Sequence, residues 1–202
     1  MALQLPLMKD GDVVQKLQLS LSKDTPLFVV DLAWASAQDL DAHALLASNV
    51  GAGAKIDALA KVLSTYTKKT GAITVNSDGS FSTPEGALKH SGDSLTGVVN
   101  EIDETITIDV SKVPANVNEI PIFVTIHKSV ETGATFKQVT KASVRISNDK
   151  SVLCEYVLSD EFGPFGAVQM GSIVRDDNGG WEFAAVGNGF NGDFNAVLGA
   201  FS

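Results

Sequence analysis

Phe28-Val29-Val30-Asp31-Leu32-Ala33-Trp34 is the run on which the reading of the fold turns. It is largely apolar and interrupted once, by Asp31, which suits a strand in the middle of a sheet. Working outward, strand signals dominate. Val13 to Leu21 contains Leu17-Gln18-Leu19-Ser20-Leu21, an alternation that puts three leucines on one face. Asp39 to Leu46, Thr105 to Val110, Ile120 to His127, Ala142 to Ile146, Val152 to Leu158, Ala167 to Val174 and Trp181 to Val186 read the same way. Turn material separates these runs, such as Asn76-Ser77-Asp78-Gly79, Asn148-Asp149-Lys150 and Asp176-Asp177-Asn178-Gly179-Gly180. Many short strands with close turns predict an all-β fold, a two-sheet β-sandwich in which two apolar faces bury each other. A flattened barrel is the nearest rival.

Two segments break the pattern. In Ala54 to Tyr66, Ile56, Leu59, Ala60 and Leu63 recur at helical spacing and predict a short amphipathic helix. The tail from Asp193 to Ala200 predicts a short C-terminal helix with Asp193 or Asn191 as its cap. No repeat or linker divides residues 1–202, so a single domain is expected.

The balance of 24 acids against 15 bases gives a formal charge of -9, which repels nucleic-acid phosphates. Lys68-Lys69 is too short a basic run to track a backbone. Cys154 is the only cysteine, which rules out an intrachain disulfide and fits a reducing compartment. Its strand-like surroundings make it a small core residue. Met1 to Asp10 does not resemble a secretory signal, and Leu27 to Ala35 is too short to span a bilayer as a helix. The expectation is a cytoplasmic protein, or a virion component if phage-encoded, with no membrane insertion.

The acids fall into two notable stretches. In Gln38-Asp39-Leu40-Asp41-Ala42-His43, an extended backbone projects Asp39, Asp41 and His43 to one side. Like-charged neighbours repel unless hydrogen bonds, solvent or a cation stabilise them. The second stretch runs from Asp93 to Glu104, a span of twelve residues that delivers several oxygen donors. Calcium takes about six to eight oxygens from carboxylates, amides, backbone carbonyls and water. An EF-hand fails, because Val98 stands where its sharp-turn glycine belongs. Magnesium and zinc fit less well; His43, His90 and His127 include no pair at ligand spacing. His43 beside two aspartates leaves a transition metal as a minor alternative. The bland alternative is two solvated acidic loops.

These residues resemble the TerD domain, a family associated with tellurite resistance and stress response. Asp39-Leu40-Asp41-Ala42, Pro84-Glu85-Gly86 with His90-Ser91-Gly92-Asp93-Ser94-Leu95-Thr96-Gly97, and Phe136-Lys137-Gln138-Val139 carry the likeness. So do Ser143-Val144-Arg145-Ile146-Ser147-Asn148 and Trp181-Glu182-Phe183-Ala184-Ala185-Val186-Gly187-Asn188-Gly189-Phe190. The resemblance implies a β-sandwich holding one or two Ca2+ ions at an edge. Asp39, Asp41, Asp93, Asp103 and Glu104 would be side-chain ligands, and Leu95 would offer its carbonyl. Asn100 replaces a usual acid, and Glu101 could compensate from a shifted position. Ile102, Val98 and Val99 depart from the family's polar loop. Residues 49–69 match poorly and look like an insertion, a candidate partner surface.

The expected function is therefore a calcium-binding, non-enzymatic module, stress-related or mediating protein assembly. The alternative is a structural or interaction subunit of a larger assembly, such as a phage particle, with reduced or vestigial calcium binding. Protein partners or self-association are expected in both. Catalysis finds little support. Gly187-Asn188-Gly189-Phe190-Asn191-Gly192 spells a dinucleotide fingerprint, but only ten residues follow it. Trp34 and Trp181 read as core anchors, whereas Phe162, Phe165 and Phe190 would mark a partner site if exposed together.

Overall fold

The structure is a computed structural model that describes residues 19–20, 27–98 and 101–202. In chain order the strands are β1 (Leu19–Ser20), β2 (Leu27–Ala33), β3 (Leu40–Leu45), β4 (Val62–Leu63), β5 (Thr74–Val75), β6 (Phe81–Ser82), β7 (Leu88–His90), β8 (Glu104–Asp109), β9 (Glu119–Ile126), β10 (Ser143–Asn148), β11 (Val152–Val157), β12 (Ala167–Arg175) and β13 (Trp181–Phe190). The α-helices are α1 (Thr65–Lys68), α2 (Ser129–Thr132), α3 (Leu158–Glu161) and α4 (Phe194–Ala200). One sheet has the order β1-β13-β12-β9-β3-β4 and the other β11-β10-β2-β8-β7-β6-β5. The fold is a β-sandwich with short helices, as the strand runs imply.

β2 is indeed internal: Val30 lies opposite Ile146 of β10 and Ile106 of β8. Its even-numbered residues Phe28, Val30 and Leu32 are completely buried and meet Leu40, Ala42, Val124 and Ile126 of the other sheet in the main core. β8 alternates in the same way, one face buried and the other half-exposed. β3 and β9 do not alternate; every residue of both is buried. Their outer face is covered by α4 and by residues from the 49–69 stretch. Leu45 and Phe123 pack there with Ala54, Val62, Phe194 and Val197 in a second, smaller core. Asp193 caps α4, its carboxylate accepting from the Asn195 and Ala196 amides.

Several expectations change. Ala54 to Tyr66 is not one helix: a 3-10 turn covers Leu59–Lys61, β4 follows, and the only α-helix in the stretch is the four-residue α1. The apolar residues do not share one face: Leu63 sits in the main core, Ile56 packs on the second core and Leu59 is exposed. The predicted strand at Val13 to Leu21 lies outside the described residues except for β1, where Leu19 pairs with Phe183. Phe162, Phe165 and Phe190 do not form an exposed patch. Phe162 is 2 % exposed, Phe165 packs on the main core and Phe190 on the second. Trp34 and Trp181 are both buried, and the Arg175 guanidinium lies 4.3 Å from the Trp181 ring centre.

Candidate metal centre

At one end of the sandwich, the entry to β3 in one sheet approaches the loop between β7 and β8 in the other. Asp39 and Asp41 come from the first and Asp93 from the second. One carboxylate oxygen from each lies within 4.8 Å of the other two. Strand alternation puts Asp39 and Asp41 on one face, and Leu40 and Ala42 point into the core. What brings Asp93 to them is a backbone clasp between the loops. The Gly97 amide donates to the Ser36 carbonyl at 3.1 Å, and the Asp103 amide donates to the Leu32 carbonyl at 3.0 Å. A Cβ on Gly97 would overlap the Trp34 ring and carbonyl, so this approach needs glycine. Gly92, with φ 130, lets the chain turn out of β7 just before Asp93.

Asp39 and Asp41 are held in a demanding environment, whereas Asp93 is exposed. Asp41 is 2 % exposed; its Oδ1 accepts from the Thr65 hydroxyl at 2.6 Å, whereas its Oδ2 is buried with no hydrogen-bond partner. Asp39 Oδ1 is likewise buried and unpartnered. His127 Nδ1 stands 3.7 Å from Asp41 Oδ2, too far for a hydrogen bond. Burial pushes the Asp41 carboxyl up to about 7, with Glu104, Asp39 and Asp93 adding to the rise and the Thr65 hydrogen bond opposing it. Burial also pushes Asp39 up to about 6; His127 opposes this, while Asp93 and Glu104 add to it. An open groove of about 570 Å³, bordered by Lys68, Asp78, Gly92, Asp93, Ile102 and Asp103, reaches Asp93 from solvent.

The remaining candidates serve differently. Asp103 Oδ2 accepts from the Trp34 amide and Oδ1 from the Val98 amide, both at 2.9 Å. Glu104 is fully buried; Oε2 accepts from the Ala42 amide at 2.9 Å and lies 3.3 Å from His90 Nε2, while Oε1 accepts from the Ser94 amide at 3.3 Å. His90 Nδ1 accepts from the Gly92 amide, so Nε2 carries the hydrogen that faces Glu104. Asp103 and Glu104 thus pin the loop to β2 and β3. Leu95 is 66 % exposed, Glu101 is exposed, and Asn100 lies outside the described residues. His43 shares Asp41's face but sits beneath Phe194, with Nε2 2.9 Å from Thr125 Oγ1, and the acidic group of three excludes it. Burial lowers its imidazole to about 3.

Sequence reasoning missed Thr65, Lys68 and His127. Lys68 Nζ stands 3.6 Å from Asp93 Oδ2. His127 is set beside Asp39 by the β3–β9 register, its amide donating to the Asp39 carbonyl at 2.8 Å. No spacing signal announces these neighbours, because pairing between distant strands creates them.

Comparison with known proteins decides the family. The TerD domain pattern matches residues 12–201. The chain belongs to the TerD domain family. The tellurium resistance protein TerD of Serratia marcescens is 31% identical over 184 residues, covering 89% of this chain and 90% of that one. The chemical-damaging agent resistance protein B of Clostridium acetobutylicum is 40% identical over 114 residues, 55% of this chain and 81% of that protein. A crystal structure of a TerD homologue from Streptomyces coelicolor A3(2) aligns with a TM-score of 0.69 at 20% identity, over 88% of this chain and 96% of that one. That likeness supports the fold alone. The acidic group of three is a potential metal site within that TerD fold.

Proposed function

We propose that this chain is a calcium-binding, non-enzymatic module that works with protein partners in the cytoplasm. One observation carries the reading: Asp39, Asp41 and Asp93 converge within 4.8 Å while Asp41 Oδ2 is buried without a partner. A buried carboxylate oxygen lacking a donor is costly, and an oxygen-seeking cation is the simplest group to satisfy it. The donors are all oxygen, as a hard cation prefers, and no histidine or cysteine joins the group of three. Asp39, Asp41 and Asp93 would hold the ion, and the ion would link two loops from different sheets.

Calcium should stabilise the folded state by mass action. Titrating chelator-treated protein by calorimetry, with parallel thermal unfolding, tests this. Binding heat and a rise in Tm are expected; neither signal at millimolar calcium would refute the assignment.

A second reading, an interaction subunit, draws on the same loop. Leu95, Val98 and Ile102 are 66%, 48% and 56% exposed, an unusual density of bare aliphatic surface beside an acidic site. Sedimentation across protein concentration, with and without calcium, separates the readings: self-association favours the second, and a monomer throughout counts against it.

A further inference from the structure

α1 is only four residues long, yet three of its side chains touch the acidic site or its flank. The Thr65 hydroxyl donates to Asp41, the Tyr66 hydroxyl and His127 Nδ1 are hydrogen-bonded at 2.8 Å, and the Lys68 ammonium faces Asp93 at 3.6 Å. Thr65 and Lys68 are three apart and lie on one side of the turn. α1 therefore bridges the two chain segments that build the cluster, Thr65 on the β3 side and Lys68 on the β7–β8 loop.

Lys68 is also held in place. Its side chain is 26% exposed, and its ammonium lies 5.6 Å from the centre of the Phe81 ring. Phe81 is fully buried and stacks on His90, which in turn faces Glu104. Neighbouring Lys69 is exposed and makes none of these contacts. The placement of Lys68 comes from the packed end of the sandwich, since Phe81 and Asp93 are both provided by elements that α1 lies against.

We propose that Lys68 is an internal counter-cation: it neutralises Asp93 in the ion-free protein and must yield that carboxylate when a divalent ion enters. This rests on the calcium reading of the same site. The argument is electrostatic. Three carboxylates within 4.8 Å need positive charge, and Lys68 is the one lysine or arginine ion-paired to them among the described residues. A single positive charge offsets a single carboxylate, whereas Asp41 Oδ2 remains unpartnered, so the ammonium does not complete the site. An ion that binds all three acids places two further charges beside the ammonium and repels it. Lys68 thus sets the calcium affinity by competition, and ion entry loosens the end of α1.

The test compares full-length wild type, Lys68→Gln and Lys68→Arg by calcium calorimetry. Lys68→Gln removes the competitor, and calcium should bind about threefold to fivefold more tightly. Lys68→Arg keeps the charge and should show no such gain. In wild type, the amine-acetylation rate of Lys68 should rise about twofold or more with calcium, while exposed Lys137 in the same sample stays constant. Calcium binding by wild type with equal or weaker binding by Lys68→Gln, and no change in Lys68 labelling, would overturn the competitor role alone. Wild type that takes no calcium would overturn the calcium reading and this inference with it.

Discussion

Two pairs of neighbouring acids meet at the same end of this sandwich, and they do opposite things. Asp39 and Asp41 each keep a buried oxygen without a hydrogen-bond partner. Asp103 and Glu104 place all their oxygens against backbone amides of Trp34, Val98, Ala42 and Ser94. The second pair holds the loop against β2 and β3; the first pair leaves unmet negative charge where the loop arrives. An acidic residue beside a metal site is therefore not a ligand by position alone. Its other partners decide.

The strongest way to break this comparison is to remove a pinning acid. Glu104→Ala leaves the buried Ala42 amide and the half-buried Ser94 amide without an acceptor, and should cost about 3 kcal/mol or more. Urea unfolding should show that loss with calcium and without it. A loss seen only with calcium would make Glu104 a ligand instead.

Gly97→Ala tests the clasp rather than the charges. Its Cβ meets the Trp34 carbonyl and ring, which should cost about 1–3 kcal/mol and weaken calcium binding by moving Asp93. Unchanged calcium affinity would mean that the clasp does not position the site.

Asp41→Asn should give the smallest effect, and of the opposite sign. Asp41 is pushed up to about 7 and Asp39 to about 6 from an ordinary 3.8. Between about pH 4 and 7 the folded, ion-free chain holds protons that the unfolded chain has released. Their contribution to stability therefore falls as pH rises through that window. His43, lowered to about 3, acts in the opposite direction between pH 3 and 6.5. Asp41→Asn removes one acid from this balance, so at pH 8 the ion-free variant should be about 1–2 kcal/mol more stable than wild type. It should also lose the calcium-dependent rise in Tm. Denaturant titrations across pH 4–8 with chelator present would show the downward slope becoming shallower; an unchanged slope would place the burial cost elsewhere.

Legibility followed burial. In β8 one face is covered and the other open, and its alternation could be read directly, whereas β2 shares that burial but reads as a nearly continuous apolar run. β3 and β9 are covered on both faces, so alternation could not show which side α4 and the 49–69 stretch occupy. The Asp39–Asp41 pair was legible because alternation is local. Thr65, Lys68 and His127 were not, because they reach the site through register and packing. The short strands β4 to β7 also escaped notice, being two or three residues each and bounded by polar turns.

By itself, the sequence determined a fold of many short strands, a short C-terminal helix with two candidate caps, and a pair of aspartates facing one way. Those follow from hydrophobic periodicity and local hydrogen bonding, which act over a few residues. Only the tertiary structure decided which acids stay unpartnered, because the amides, hydroxyl and ammonium that answer them come from strands and loops far away in the chain. Electrostatics depends on distance in space, and distance along the sequence does not encode it.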